Sequence, residues 1–195
     1  YIMRKLPNDL ENPIDNIMYK MIEYIAPGLY KLGFTPNILT TLGNISTLIF
    51  VYFMFQYNFK MAALFYLLSY IFDCLDGYIA RSYNMVSKFG DWYDHISDAL
   101  KTLLYFYALF KINRKLGALS FVIVFALLFL TCIYLSHQEI YYNKPESSYT
   151  LDVLKCLNFG ANSSNVNEYL KITRYFGCGT TYLVMILIIL FYKKE

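Results

Sequence analysis

The chain has 195 residues, of which 57% are hydrophobic and only 16% are charged. Soluble domains contain roughly 25% charged residues, so this composition excludes an ordinary soluble protein and indicates an integral membrane protein. The formal net charge of +3 is too small to indicate nucleic-acid binding, whereas a slightly basic surface suits anionic lipid headgroups. We therefore expect a single all-α membrane domain over residues 1–195, with membrane lipids and no nucleic acid as partners.

The N-terminal segment, residues 1–35, is predicted to be amphipathic and to lie in the membrane interface. Between Ile14 and Ile25 apolar residues recur every three or four positions, and polar residues occupy the opposite face. Pro13 suits the start of this helix, and Pro27-Gly28 suits its end. The alternative is a helix that packs on the protein itself.

Residues 36–195 are predicted to form a polytopic transmembrane bundle. Five spans are clear, and a sixth is the open alternative. The polar segment 136–174 is expected to be a loop with one short helix around Leu151–Leu157. The predicted spans cover approximately residues 36–57, 61–78, 89–110, 116–135 and 175–192.

Carboxylates interrupt the second and third predicted spans. Asp73 and Asp76 are three residues apart, and Asp94 and Asp98 are four apart, so each pair shares one helix face. A carboxylate at membrane depth costs several kcal/mol unless it is paired, bound to a metal or open to water. Two helices that turn such pairs toward one point suit a hard divalent cation such as Mg²⁺. Cysteine and histidine are not in ligand register, which argues against zinc and copper.

The distribution of basic residues indicates on which side of the membrane these acids lie. The side with the N-terminus, the turn at 81–88 and the segment 136–174 carries ten Lys or Arg residues, and the other side carries six. Basic residues are enriched on the cytoplasmic side. We therefore expect the acidic cluster to face the cytoplasm.

Small and basic residues accompany the acids. Gly77, Ala80 and Gly90 leave room either for a ligand or for close helix packing. Arg81 is placed to meet a phosphate or to anchor its helix at the interface. A divalent cation, an arginine and acids together are what phosphoryl transfer requires. His95 is a weaker candidate, because it points off the face that Asp94 and Asp98 share.

The spacing Asp73-x2-Asp76-Gly77-x2-Ala80-Arg81-x8-Gly90-x3-Asp94-x3-Asp98 resembles, without departure, the signature of the CDP-alcohol phosphotransferases. The resemblance extends to Pro36-Asn37-x2-Thr40, to the interfacial N-terminal helix and to the multi-span plan, and it weakens after about residue 136. The family usually has six spans, so the five predicted here are a departure that affects the C-terminal acceptor or dimer surface.

The resemblance implies a transferase whose CDP-linked donor lies on two divalent metal ions, Mg²⁺ or Mn²⁺. Asp73, Asp76 and Asp94 would be metal ligands, and Asp98 would add to the second metal. Asp98 would also be the general base that deprotonates the acceptor hydroxyl, which attacks the β-phosphorus and displaces CMP. A homodimer is a further possibility that the family allows. The residues implied to contact the CDP part are Gly77, Ala80, Arg81, Gly90, Asn37 and Thr40.

The resemblance leaves the substrates open. One branch moves a phosphatidyl group from CDP-diacylglycerol to inositol, serine or glycerol phosphate, and the small size of the chain favours it. The other moves phosphocholine or phosphoethanolamine from its CDP form to diacylglycerol, and the pair Asp94-His95 resembles that branch. No clear cluster of basic residues for an acceptor stands out in the sequence.

Other classes fit less well. Intramembrane prenyltransferases carry a second acidic motif, and none follows residue 98 here. A cation transporter predicts an internal repeat, and the sequence contains none. The intact signature disfavours an inactive scaffold.

Overall fold

The computed structural model describes residues 6–142, 154 and 156–192, and in this part of the chain every regular element is helical. The prediction of an all-α membrane bundle is confirmed. A 3₁₀ turn, Arg174–Phe176, separates the last two helices. The helices are α1 (Pro13–Lys31), α2 (Pro36–Phe55), α3 (Phe59–Ser82), α4 (Lys88–Ile112), α5 (Arg114–Tyr142), α6 (Val166–Thr173) and α7 (Cys178–Phe191).

Four stretches of the described chain are long and apolar enough to cross a membrane: α2, α3, α5 and the stretch Val166–Phe191, which joins α6 to α7. The third predicted span is α4, which has 25 residues, about 37 Å of helix and enough to cross. However, Asp91, Asp94, Asp98 and Lys101 make its first half much less apolar than the other spans.

The first helix runs past its predicted end. Pro27 lies inside α1, which continues to Lys31, so the prediction that the helix stops at Pro27-Gly28 is wrong. The helix ends instead near Gly33, whose φ of +85° is the left-handed conformation that favours glycine. The amide of Phe34 donates to the Leu29 carbonyl at 3.1 Å and closes the turn.

α1 both packs on the bundle and presents an apolar strip. It contacts α3 and α7, and Ile22 and Ala26 on that face are fully buried. Ile17, Met21 and Tyr24 follow one another at helical spacing on the exposed side. An exposed apolar strip beside a buried one is what a helix at the membrane interface requires, so that location stays our prediction.

The loop predicted at 136–174 starts later in the structure than the sequence analysis placed it. α5 extends to Tyr142 because its polar residues find partners inside the protein: Gln138 donates to Glu11, and His137 contacts the Thr173 hydroxyl at 3.2 Å. His137 is therefore buried. The sequence prediction also missed α6. Most of the short helix predicted at Leu151–Leu157 lies outside the described residues.

Two glycines let the start of α7 approach α1. A Cβ on Gly179 would lie 2.6 Å from Asp15 Oδ1 and 2.8 Å from the Tyr70 hydroxyl. A Cβ on Gly177 would lie 2.8 Å from the Cβ of Asn12. Asn12 uses this approach: its Nδ2 donates to the Arg174 carbonyl at 2.6 Å and to Thr180 Oγ1 at 2.8 Å. These hydrogen bonds thus hold the start of α1 against the start of α7.

Gly179→Ala is expected to destabilise the protein by about 1–3 kcal/mol, because an added methyl overpacks this contact. The measurement is the melting temperature in detergent. Gly28→Ala is the matched control, since that glycine is exposed in α1 with nothing within 4 Å of its added Cβ. Alanine is the better helix former, so the control should melt at the same or a higher temperature. Equal shifts for the two variants would contradict the close approach.

Candidate active site

Three of the four signature aspartates meet at one point. Asp73 and Asp76 come from α3, Asp94 comes from α4, and both helices pack against α2. One carboxylate oxygen of each lies within 4.8 Å of the other two. Thr40 on α2 donates its hydroxyl to Asp76 Oδ2 at 2.7 Å, which fixes that carboxylate. We call Asp73, Asp76 and Asp94 the aspartate triad.

The aspartate triad fits a divalent cation. Asp76 is almost fully buried, and Asp94 Oδ1 is buried with no hydrogen-bond partner in the described part of the chain. Like charges held this close repel one another, and a bound cation would reduce that repulsion at Asp76 and Asp94. Carboxylate oxygens are the ligands that Mg²⁺ and Mn²⁺ prefer, which agrees with the ion expected from the sequence.

The fourth signature aspartate has a different partner. Asp98 Oδ1 accepts from the ammonium of Lys101 at 2.9 Å, and the same ammonium donates to Asp73 Oδ1 at 2.7 Å. Lys101 is 1% exposed. The structure therefore links Asp98 to the aspartate triad through Lys101. The predicted roles of Asp98 as second-metal ligand and base stay predictions.

A first cavity opens on one side of the aspartate triad, between α2, α3 and α4. Asn37 and Thr40 enter it from α2, and Gly90 starts the α4 wall. A Cβ on Gly90 would lie 3.3 Å from Asn37 Oδ1, so the glycine brings that wall close to α2. Every residue that the resemblance assigned to the CDP part lines this cavity: Gly77, Ala80, Arg81, Gly90, Asn37 and Thr40.

A second cavity, of about 230 Å³, opens on the other side of the aspartate triad. It extends toward α1, α5 and α7, and it shares with the first cavity Asp76, Gly77, Arg81, Asp91 and Asp94. The sequence analysis missed the polar residues that line this extension, because they lie far apart in the chain. They are Glu11, Asp15, Tyr19, Tyr70, Tyr134 and Gln138.

Two buried carboxylates stand out in the second cavity. Glu11 Oε1 accepts from the Tyr134 hydroxyl at 2.7 Å, and Asp15 accepts from the Tyr70 hydroxyl. Burial, and then the nearby Glu11 carboxylate, raise the pKa of Asp15 to about 7. The chemistry at this end of the cavity is thus acidic and hydroxyl-rich.

His95 also lines the second cavity. Its Nδ1 lies 2.7 Å from the Asp91 carbonyl oxygen, one turn earlier in α4. The ring therefore contributes to the wall of this cavity, and that it points off the face of Asp94 and Asp98 stays a prediction.

Several characterised proteins resemble parts of the chain. The archaetidylinositol phosphate synthase of Pyrococcus horikoshii is 38% identical over 79 residues, 40% of this chain and 42% of that protein. A CDP-diacylglycerol–glycerol-3-phosphate 3-phosphatidyltransferase of Rickettsia typhi is 51% identical over 41 residues, 21% of this chain and 23% of that protein. Its counterpart in Rickettsia bellii is 41% identical over 69 residues, 33% of this chain and 38% of that protein.

The matched stretches thus cover less than half of each of these three relatives. No solved structure matches the chain significantly. The family model for CDP-alcohol phosphatidyltransferase matches residues 34–193. This range includes the aspartate triad, Asp98 and every residue that lines the first cavity. The chain belongs to the CDP-alcohol phosphatidyltransferase family.

Proposed function

We propose that the protein transfers a phosphatidyl group from CDP-diacylglycerol to a polar alcohol and releases CMP. The observation that carries the proposal is the aspartate triad and the two cavities that adjoin it. All six residues that the resemblance assigned to the CDP part line the first cavity, and the second is large enough for a small molecule. The names of the relatives support the phosphatidyl branch, since the Rickettsia proteins are named as transferases from CDP-diacylglycerol to glycerol 3-phosphate.

The aspartate triad would hold Mg²⁺ or Mn²⁺, and a second ion with Asp98 among its ligands is part of the proposal. When bound, divalent cations neutralise the charge of the diphosphate and of the departing CMP. Arg81 lines both cavities and would bind the same phosphates. The homodimer expected from the resemblance stays a prediction.

Asp98 is proposed as the base. It takes the proton of the acceptor hydroxyl, whose oxygen bonds to the β-phosphorus while the bond from that phosphorus to the oxygen of CMP breaks. The Lys101 ammonium, 2.9 Å from Asp98 Oδ1, would hold this carboxylate in place. The excess of Lys and Arg on the same side supports a reaction at the cytoplasmic face.

A second candidate reaction has one observation in its favour. His95 directly follows Asp94, as in the aminoalcohol branch, and it lines the second cavity beside the acids. In that reaction phosphocholine or phosphoethanolamine would pass from its CDP form to diacylglycerol, and CMP would again be released.

The test is CMP release in liposomes with Mg²⁺ or Mn²⁺. CDP-diacylglycerol is offered with a panel of polar alcohols, and CDP-choline and CDP-ethanolamine are offered with diacylglycerol in parallel. Release with CDP-diacylglycerol alone is expected. Exhaustive chelation should abolish it, and Asp98→Asn should lower it by about 10²–10⁴-fold.

Three results would count against the proposal. Full activity after chelation would contradict the requirement for a metal ion. Unchanged activity of Asp98→Asn would contradict the assignment of Asp98 as the base. Release with the CDP-aminoalcohols alone would assign the protein to the second branch.

A further inference from the structure

The second cavity adjoins the aspartate triad, and of the six predicted CDP contacts only Gly77 and Arg81 line it. All six of those contacts line the first cavity, whereas the acidic end of the second lies among α1, α5 and α7. Its volume of about 230 Å³ is below the 300–1,000 Å³ typical of pockets for drug-sized ligands. The space therefore suits a small headgroup that lies beside the reacting phosphorus.

Glu11 and Asp15 have no charged hydrogen-bond donor in the part of the chain that the structure describes. They are 3% and 7% exposed, and the donors to their oxygens are neutral groups: phenols, a side-chain amide and backbone amides. Between residues that the structure describes, no ion pair includes either carboxylate. These neutral donors satisfy the carboxylate oxygens but supply no positive charge, so a cation in the cavity would improve this arrangement.

The cavity is poorly equipped for a phosphorylated acceptor. Within the described residues, Arg81 is the one Lys or Arg that lines it, and Arg81 also lines the first cavity. The Arg81 guanidinium lies 3.5 Å from the Tyr19 hydroxyl. Phosphate recognition relies on arginine or lysine donors, but a phosphate at the far end would meet Glu11 and Asp15.

We propose that the second cavity binds a cationic amino-alcohol headgroup, and that Glu11 and Asp15 select it over neutral and phosphorylated alcohols. The inference rests on the proposed function, because it assigns the alcohol side of the same site. The amino alcohol has two possible sources: a free acceptor such as ethanolamine, or the headgroup of a CDP-aminoalcohol donor. Either source places an ammonium group among the same carboxylates.

Turnover by the wild-type protein provides the first test. In one arm, CDP-diacylglycerol is offered with ethanolamine, serine, glycerol, inositol or glycerol 3-phosphate. In the other, diacylglycerol is offered with CDP-ethanolamine or with CDP-glycerol, which lacks the ammonium. The amino alcohol should give the higher kcat/KM in whichever arm is active, and that arm identifies the source. Preference for glycerol 3-phosphate, inositol or CDP-glycerol would overturn the inference.

Charge-removing variants provide the second test. Glu11→Gln and Asp15→Asn keep the shape of the side chains, and each should lower the ratio of kcat/KM for the amino alcohol to that for its neutral analogue by about tenfold. Asp9→Asn is the matched control, because Asp9 is exposed in the same segment. An unchanged ratio in the double variant would overturn the inference.

A binding measurement separates this inference from the proposed function. The melting temperature is recorded in detergent with Mn²⁺, CMP and ethanolamine or glycerol. Stabilisation by ethanolamine that the double variant loses, without turnover in any arm, would support the cavity and reject the proposed function. Turnover without a preference for the amino alcohol would support the proposed function and reject the inference about the second cavity. Neither turnover nor stabilisation would reject both.

Discussion

Asp76→Asn is expected to lower CMP release by about 10²–10³-fold and to weaken Mn²⁺ binding by at least about tenfold. Asp76 is the most buried member of the aspartate triad, and it holds its position through Thr40. The amide keeps the shape of the side chain and removes the negative charge that a cation needs. Mn²⁺ binding is measured by electron paramagnetic resonance, separately from turnover.

Two further variants show whether the loss is specific. Thr40→Val removes the 2.7 Å hydrogen bond and keeps all three carboxylates, so a smaller loss, of about 10–100-fold, is expected. Asp9→Asn makes the same chemical change on an exposed residue and should leave both quantities unaltered. Because the triad carboxylates repel one another, Asp76→Asn should not lower the melting temperature of metal-free protein. A lowered melting temperature with intact Mn²⁺ affinity would contradict the metal-site assignment.

Lys101→Met is expected to destabilise the protein by about 3–5 kcal/mol, since removal of one partner leaves buried charges unpaired. The ammonium contacts Asp73 at 2.7 Å and Asp98 at 2.9 Å, so two carboxylates lose their counter-ion at once. For a chain of this size the melting temperature should fall by roughly 10 °C or more. Thermal unfolding in detergent without divalent cations gives the measurement.

The double variant Lys101→Met/Asp98→Asn should recover part of this loss, because one of the two unpaired charges is then absent. Lys60→Met serves as the control: Lys60 is exposed at the start of α3, and its replacement should change the melting temperature little. A loss no larger than that of the control would mean that the buried pairing of Lys101 contributes nothing to stability.

The aspartate triad was predictable because its geometry is largely local. Asp73 and Asp76 share a helix face by their spacing alone, and the family signature supplied the pairing with Asp94. The spans were predictable for a similar reason, since apolar length identifies them directly. The end of α1 was not predictable, because a proline inside a helix and a proline at its end give the same local pattern.

The acidic end of the second cavity could not be predicted. Glu11 and Asp15 meet Tyr134 and Tyr70 only through the packing of α1 on the bundle, and the contacting pairs are 123 and 55 residues apart. No local period encodes such a contact. Lys101 offered a partial indication, because a lysine three residues after Asp98 in an apolar stretch requires a buried partner. Its second partner, Asp73, lies 28 residues away and needed the structure.

The link between Asn12 and the start of α7 has a consequence for biosynthesis. Asn12 binds groups 162 and 168 residues later in the chain. At about 5–20 residues per second, the ribosome needs roughly 8–30 s to produce them after Asn12 has been made. During that interval α2, α3 and α4 can already assemble the first cavity, while α1 has no docking partner at α7. The acidic end of the second cavity is therefore the last part of the site to form, and a nascent chain stopped before α7 would carry the aspartate triad without that wall.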